Sequence, residues 1–132
     1  MPWRVTVALS IAALVSSAMI RPVAGEGDVA RGARAFQKCF SCHSVDPAET
    51  KLPGPNLARL FGRRAGTQSG FEYSAFMVAA GNRGLDWSEA TLGEFIADPA
   101  SFVPGTTMSF PGMADAHERA DLIVYLKTAS PD

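Results

Sequence analysis

An excess of one charge is missing from this chain. Its 12 basic and 13 acidic side chains leave 132 residues at a formal net charge of -1. A nucleic-acid binder shows a basic patch or stripe, and none is present. Internal repeats and low-complexity tracts are also absent, so neither a solenoid nor a compositionally biased segment is indicated. No stretch shows a convincing strand pattern of alternating apolar and polar residues. Cysteine and histidine are scarce, at two each. A zinc centre usually takes four protein ligands. His117, the only candidate outside one short motif, stands beside Glu118 and Arg119 with no second ligand near it.

The length suits one domain and not two. The first segment stands apart from it. Met1–Arg4 carries one positive charge, Val5–Ile20 is almost wholly apolar or small, Arg21-Pro22 breaks the run, and Val23-Ala24-Gly25 offers small residues. This is the layout of a secretory signal. The alternative is a permanent anchor, but the run is shorter than the ~20 apolar residues that a spanning helix needs. We therefore expect a signal peptide over 1–25 and a mature domain over 26–132. Both charges of the leader, Arg4 and Arg21, are basic, so the mature chain keeps 10 basic and 13 acidic residues, a net -3.

Both cysteines lie in one pentapeptide, Cys39-Phe40-Ser41-Cys42-His43. C-x-x-C-H is the pattern of c-type haem attachment. Two thiols at this spacing can each add to one vinyl group on the porphyrin edge, and the adjoining imidazole can bind iron. A thioredoxin-like pair would need βαβ surroundings and would leave His43 unexplained. A plain disulfide across so tight a loop is more often redox-active than structural. An exported leader agrees with covalent haem, which is attached outside the bacterial cytoplasm in systems of this sort, and it places the mature protein in the periplasm.

Around the motif the pattern is helical. Asp28 can cap a helix over Val29–Lys38 that runs into the cysteines. Ala116–Thr128 reads as a second helix, with Arg119, Leu122, Ile123 and Leu126 on one stripe. If the two cross, Gly32, on one face with Phe36, lets their backbones approach. The two prolines of Leu52-Pro53-Gly54-Pro55-Asn56 forbid helix there. Phe61-Gly62 and Gly66–Gly70 read as turns. Ser74–Ala80 is a short helix closed by Gly81. Ser88 caps another through Ala97, with Leu92, Phe95 and Ile96 facing in, and Asp98-Pro99 ends it. The expected fold is all-α, with four or five short helices around a flat apolar cofactor that supplies much of the core.

One axial position of the iron remains beside His43. Met77, Met108, Met113, His117 or no residue could fill it. Met108 ends the proline-stiffened run Pro104-Gly105-Thr106-Thr107-Met108. Met77 and Met113 have apolar neighbours, and His117 a solvated one.

From about Gly27 to Lys127 the chain resembles the class I c-type cytochromes, the mitochondrial type and its bacterial periplasmic relatives. The elements that carry the resemblance occur in order: Gly27-Asp28-Val29-Ala30-Arg31-Gly32 leading to Phe36, the Cys-His motif, Gly54-Pro55-Asn56-Leu57, Leu60-Phe61-Gly62-Arg63, Gly70-Phe71-Glu72-Tyr73, Trp87, Pro99, Pro104 to Met108, and Asp121 to Leu126. The resemblance implies the small cytochrome c fold, with crossing terminal helices that bring Gly32 and Phe36 to Leu122 and Tyr125. It implies one covalent haem c on Cys39 and Cys42, with iron between His43 and Met108. Pro55 would accept from the His43 ring, while Tyr73 and Trp87 would donate to a propionate and Arg63 would offset its charge. The implied function is one-electron transport without catalytic residues. The implied partners are a membrane reductase or oxidase, or a periplasmic dehydrogenase, met as a monomer.

Three departures stand out. Phe95 replaces a tyrosine common among relatives. The segment between Tyr73 and Trp87 is longer than in the mitochondrial form. The lysine ring of the mitochondrial docking surface is replaced by Ala100, Ser101, Thr107, Ala114 and Asp115, with Lys38 kept. Steering toward an acidic partner is then weak, and an apolar contact around Phe110, Pro111 and Met113 is expected.

Overall fold

Asp28 is extended and its carboxylate accepts from the Arg31 N–H at 2.7 Å, starting helix α1, Val29–Ala35. This is a side-chain N-cap. In the computed structural model, which describes residues 1–2 and 27–130, the segment expected as one helix to Lys38 tightens after Ala35 into a single 3-10 turn, Phe36–Lys38. The expected signal peptide lies outside the described residues, apart from its first two.

Four further helices follow: α2 Ala75–Asn82, α3 Glu89–Ala97, α4 Pro99–Phe102 and α5 Ala116–Ala129. Ser74 caps α2 by accepting from Met77 N–H. Ser88 and Thr91 form a reciprocal capping box on α3, satisfying donors that a helix start leaves open. Asp115 accepts from His117 and Glu118 N–H to start α5. Asp98-Pro99 both ends α3 and begins α4, because Asp98 accepts from Ser101 N–H and proline suits a first helical position. Among the described residues the strand pattern is limited to one antiparallel bridge, Arg64 with Asp86.

Gly81 corrects the sequence reading. It does not close α2 but lies inside it, buried, where a Cβ would stand 2.0 Å from the Ala65 carbonyl oxygen. The turn comes later, at Gly84, with φ +100°. Close approach, not termination, explains this glycine.

α1 crosses α5 at Gly32, where a Cβ would lie 2.0 Å from the Asp121 carbonyl oxygen and 2.6 Å from Tyr125 Cβ. The Phe36 and Tyr125 rings meet beside the crossing at 5.4 Å. Asp121, buried on α5, accepts from the Asp28 N–H at 2.6 Å and from Arg31 Nε at 2.7 Å. Leu122, Ile123 and Leu126 of α5 are buried with Leu92, Phe95 and Ile96 of α3. The terminal helices thus form one wall, and α3 packs on it.

Candidate haem site

The space left between these helices and the loops is a cleft of about 450 Å³. Leu60, Leu92, Ile96 and Leu122 make much of its apolar lining. The 3-10 turn delivers the cysteines to its edge. Cys42 and His43 both donate their N–H to the Cys39 carbonyl, at 3.0 and 2.9 Å, so the motif closes into a tight turn. Cys39 and Cys42 are not joined to each other; both are half-buried in the cleft wall. Burial pushes the Cys39 thiol above its ordinary value.

His43 is fixed from behind. Its Nδ1 lies 2.8 Å from the Pro55 carbonyl oxygen. That oxygen can only accept, so Nδ1 carries the proton and Nε2 keeps its lone pair, the usual way such a partner sets a ligand's tautomer. Burial lowers the imidazole's pKa, with the Pro55 contact opposing it. The neutral form, the one that binds metal, is therefore favoured. Gly54 is required here: a Cβ would stand 2.6 Å from His43 Cε1 and 2.7 Å from the Cys42 oxygen. The Gly54 N–H donates to that same Cys42 oxygen, locking the proline loop onto the motif.

The other side of the cleft is polar at one edge. Arg63 donates to the Asn56 carbonyl at 3.0 Å, to the Ala58 carbonyl and to Gln68 Oε1. The Tyr73 hydroxyl oxygen lies 3.3 Å from the Gln68 N–H and accepts from it. Burial raises the Tyr73 phenol, so it keeps its proton as a donor. Trp87 is buried and its ring is 5.1 Å from Phe95. Arg63, Tyr73, Trp87 and Phe95 all line the cleft.

Of the four candidates for a second iron ligand, the cleft wall includes Met77 and Met108. Met113 is in the core at 2% exposure, and His117 is exposed on α5. Met108 is half-buried in the loop after Gly105, with its N–H on Thr106 Oγ1. The Phe76 ring rests on Gly105, where a Cβ would be 2.4 Å away.

The burial of Met113 corrects the expected docking patch, because a side chain sealed in the core cannot meet a partner. Phe110 is half-buried and Pro111 exposed. Among the described residues from 27 onward, the large exposed apolar side chains are instead Val29, Phe40, Phe76 and Val78. Lys38 is paired with Glu118.

Three residues that hold the site escaped the sequence reading. Buried Asn56 donates to the Asp46 and Glu49 carbonyls and accepts from Ala58 N–H. Ser130, at the end of α5, donates to the Leu57 carbonyl. Gln68 is the third. An asparagine directly after a proline loop is a local hint of a side-chain turn. Ser130 acts across 73 positions, which local patterns do not register, and Gln68 meets partners five positions to either side in an irregular stretch with no helical or strand period to mark it.

An apolar slot, two cysteines on its edge, an imidazole held through Nδ1 and thioether sulfurs in the wall form a donor set suited to covalently held haem. These features define a small all-helical haem protein. The chain belongs to the cytochrome c family, whose model matches residues 29–130. It is 46% identical over 105 residues to cytochrome c of Sesamum indicum, covering 79% of this chain and 92% of that one. It is 41% identical over 118 residues to cytochrome c2 of Blastochloris viridis, covering 89% and 90%. The solved structure of cytochrome c2 from Rhodospirillum centenum superposes with a TM-score of 0.75 at 39% identity, covering 80% of this chain and all of that one. The fold is the small cytochrome c fold. The protein carries covalent haem c with its iron and is an electron carrier.

Proposed function

We propose that Cys39 and Cys42 would hold the haem through thioether bonds, that His43 Nε2 and the Met108 sulfur would bind its iron, and that Tyr73, Trp87 and Arg63 would receive the haem carboxylates. The bound haem supplies reversible one-electron exchange between ferric and ferrous iron, with histidine–methionine ligation favouring a raised potential. The chain's own residues make and break no substrate bonds. They orient, desolvate and neutralise, so the reading is a carrier and not an enzyme.

The observation that carries this reading is the His43 Nδ1 contact with Pro55 at 2.8 Å. It holds the imidazole in the tautomer a ligand needs, in the residue adjoining the thiols. The apolar lining would exclude water from the ring, and low dielectric disfavours the more positive ferric centre. Partners of the implied kind are a membrane reductase or oxidase, or a periplasmic dehydrogenase, approached by a monomer in the periplasm after removal of residues 1–25. No helix among the described residues is long and apolar enough to cross a membrane.

Mass spectrometry of the exported protein tests the attachment. The expected mass is that of the chain from about residue 26 plus one haem, with the haem retained after acidic acetone. Extraction of the haem by acetone, or full retention in a Cys39→Ser, Cys42→Ser double variant, would overturn the thioether assignment.

A further inference from the structure

Gln68 does not line the cleft, yet it touches both polar groups at the cleft's edge. Arginine has only donors, so Gln68 presents its amide oxygen to Arg63. That acceptor is the one side chain among the three oxygens that hold the guanidinium, the others being the Asn56 and Ala58 carbonyls. The Gln68 backbone N–H meets the Tyr73 hydroxyl. A hydroxyl has one proton and two lone pairs. With its oxygen engaged as an acceptor from Gln68, Tyr73 has its own proton free to donate into the cleft. Burial lowers the Arg63 pKa and raises that of Tyr73, and each eases the other's shift, so the two groups act as neighbours in one partly desolvated edge.

We propose that Gln68 is a positioning residue for electron transfer: through its side-chain oxygen it holds the Arg63 guanidinium at the cleft edge, and through its backbone it aims the Tyr73 hydroxyl. This rests on the reading of Arg63 and Tyr73 as the residues that receive the haem carboxylates. A guanidinium held in place offsets carboxylate charge beside the iron. Released, it leaves that charge less compensated, and the ferric state gains.

The test is a redox titration of the holoprotein with the Gln68→Leu, Arg63→Leu and double variants. Gln68→Leu keeps the backbone N–H and removes only the acceptor. It is expected to raise the ferric-to-ferrous ratio at fixed ambient potential about threefold, a fall of about 28 mV at 59 mV per tenfold for one electron. Arg63→Leu is expected to lower the potential further, and Gln68→Leu to add nothing in its background, the signature of two residues acting as one unit. A shift with Arg63→Leu and none with Gln68→Leu would overturn the role of Gln68 and leave the site reading standing. Additive shifts would also overturn it, because Gln68 would then act independently of Arg63. No shift with either would overturn the site reading itself. Should Arg63→Leu not fold, hydrogen exchange of the Arg63 guanidinium in wild type and Gln68→Leu decides alone. An increase of tenfold or more supports the proposal, and unchanged exchange refutes it.

Discussion

Adding a methyl group at two glycines should move stability in opposite directions. At Gly32 an added Cβ would lie 2.0 Å from the Asp121 carbonyl oxygen and 2.6 Å from Tyr125 Cβ. Ordinary contact begins near 3.4 Å, so the oxygen is 1.4 Å too close. The obstacle is backbone of α5, which cannot rotate aside as a side chain would. The two helices must part, and parting strains the bonds from Asp28 N–H and Arg31 to Asp121. Overpacking of a tight core costs about 1–3 kcal/mol, and this case belongs at the upper end. Alanine returns roughly 1 kcal/mol over glycine as a helix former. The net loss for Gly32→Ala is then about 2 kcal/mol. Gly93, within α3, meets only Ile123 Cδ1, at 3.4 Å. There the helix gain is nearly unopposed, and Gly93→Ala should add about 0.5–1 kcal/mol. Guanidinium unfolding of the holoprotein, followed by helical circular dichroism, reads both from the midpoint at constant slope. A neutral or stabilising Gly32→Ala would refute the crossing geometry.

Asp121 is held below the usual carboxylate range by its hydrogen bond from Arg31 and next by the Asp28 N–H. A lowered folded-state pKa stabilises above the unfolded value of about 3.9 and is lost as pH falls through the folded one. Asp121→Asn should therefore be less stable than wild type at pH 7, with the gap closing below about pH 4; a gap independent of pH in urea melts would refute this. Arg59 is exposed with φ +54°, a left-handed conformation costing a side-chain-bearing residue about 1 kcal/mol. Arg59→Gly should gain up to about 1 kcal/mol and Arg59→Val should lose about 1–2 kcal/mol, so equal thermal midpoints would count against the strain. Phe95 shares the cleft wall with Met108; Phe95→Tyr should raise the reduction potential by donating to the methionine sulfur, and an unchanged potential would mean the two side chains do not meet.

Local chemistry was readable from the residues and distant chemistry was not. The Cys39–His43 motif, the Asp28 and Ser88 caps, and the stop at Asp98-Pro99 depend on neighbours a few positions away. Gly32 is legible through the family resemblance, which implies the crossing; by itself a glycine there reads equally as a weak helix position. Gly81 was misread because a terminating glycine and a close-packed one look alike until the Ala65 carbonyl is seen beside it. Apolar neighbours suit Met113 equally to a core or to an apolar docking patch, and its 2% exposure decides for the core. Asp121 joins Arg31 across 90 positions and Ser130 joins Leu57 across 73. No periodicity encodes such pairs.

The central claim is that iron sits between His43 and one methionine of the cleft wall. The absorption spectrum of the ferric holoprotein, taken beside its Met108→Ala and Met77→Ala variants, tests it most directly. The account predicts a low-spin spectrum with the weak far-red band of methionine-to-iron bonding, absent in Met108→Ala and kept in Met77→Ala. A high-spin wild type that shifts on adding carbon monoxide to the reduced form, or a band lost in Met77→Ala instead, would contradict it.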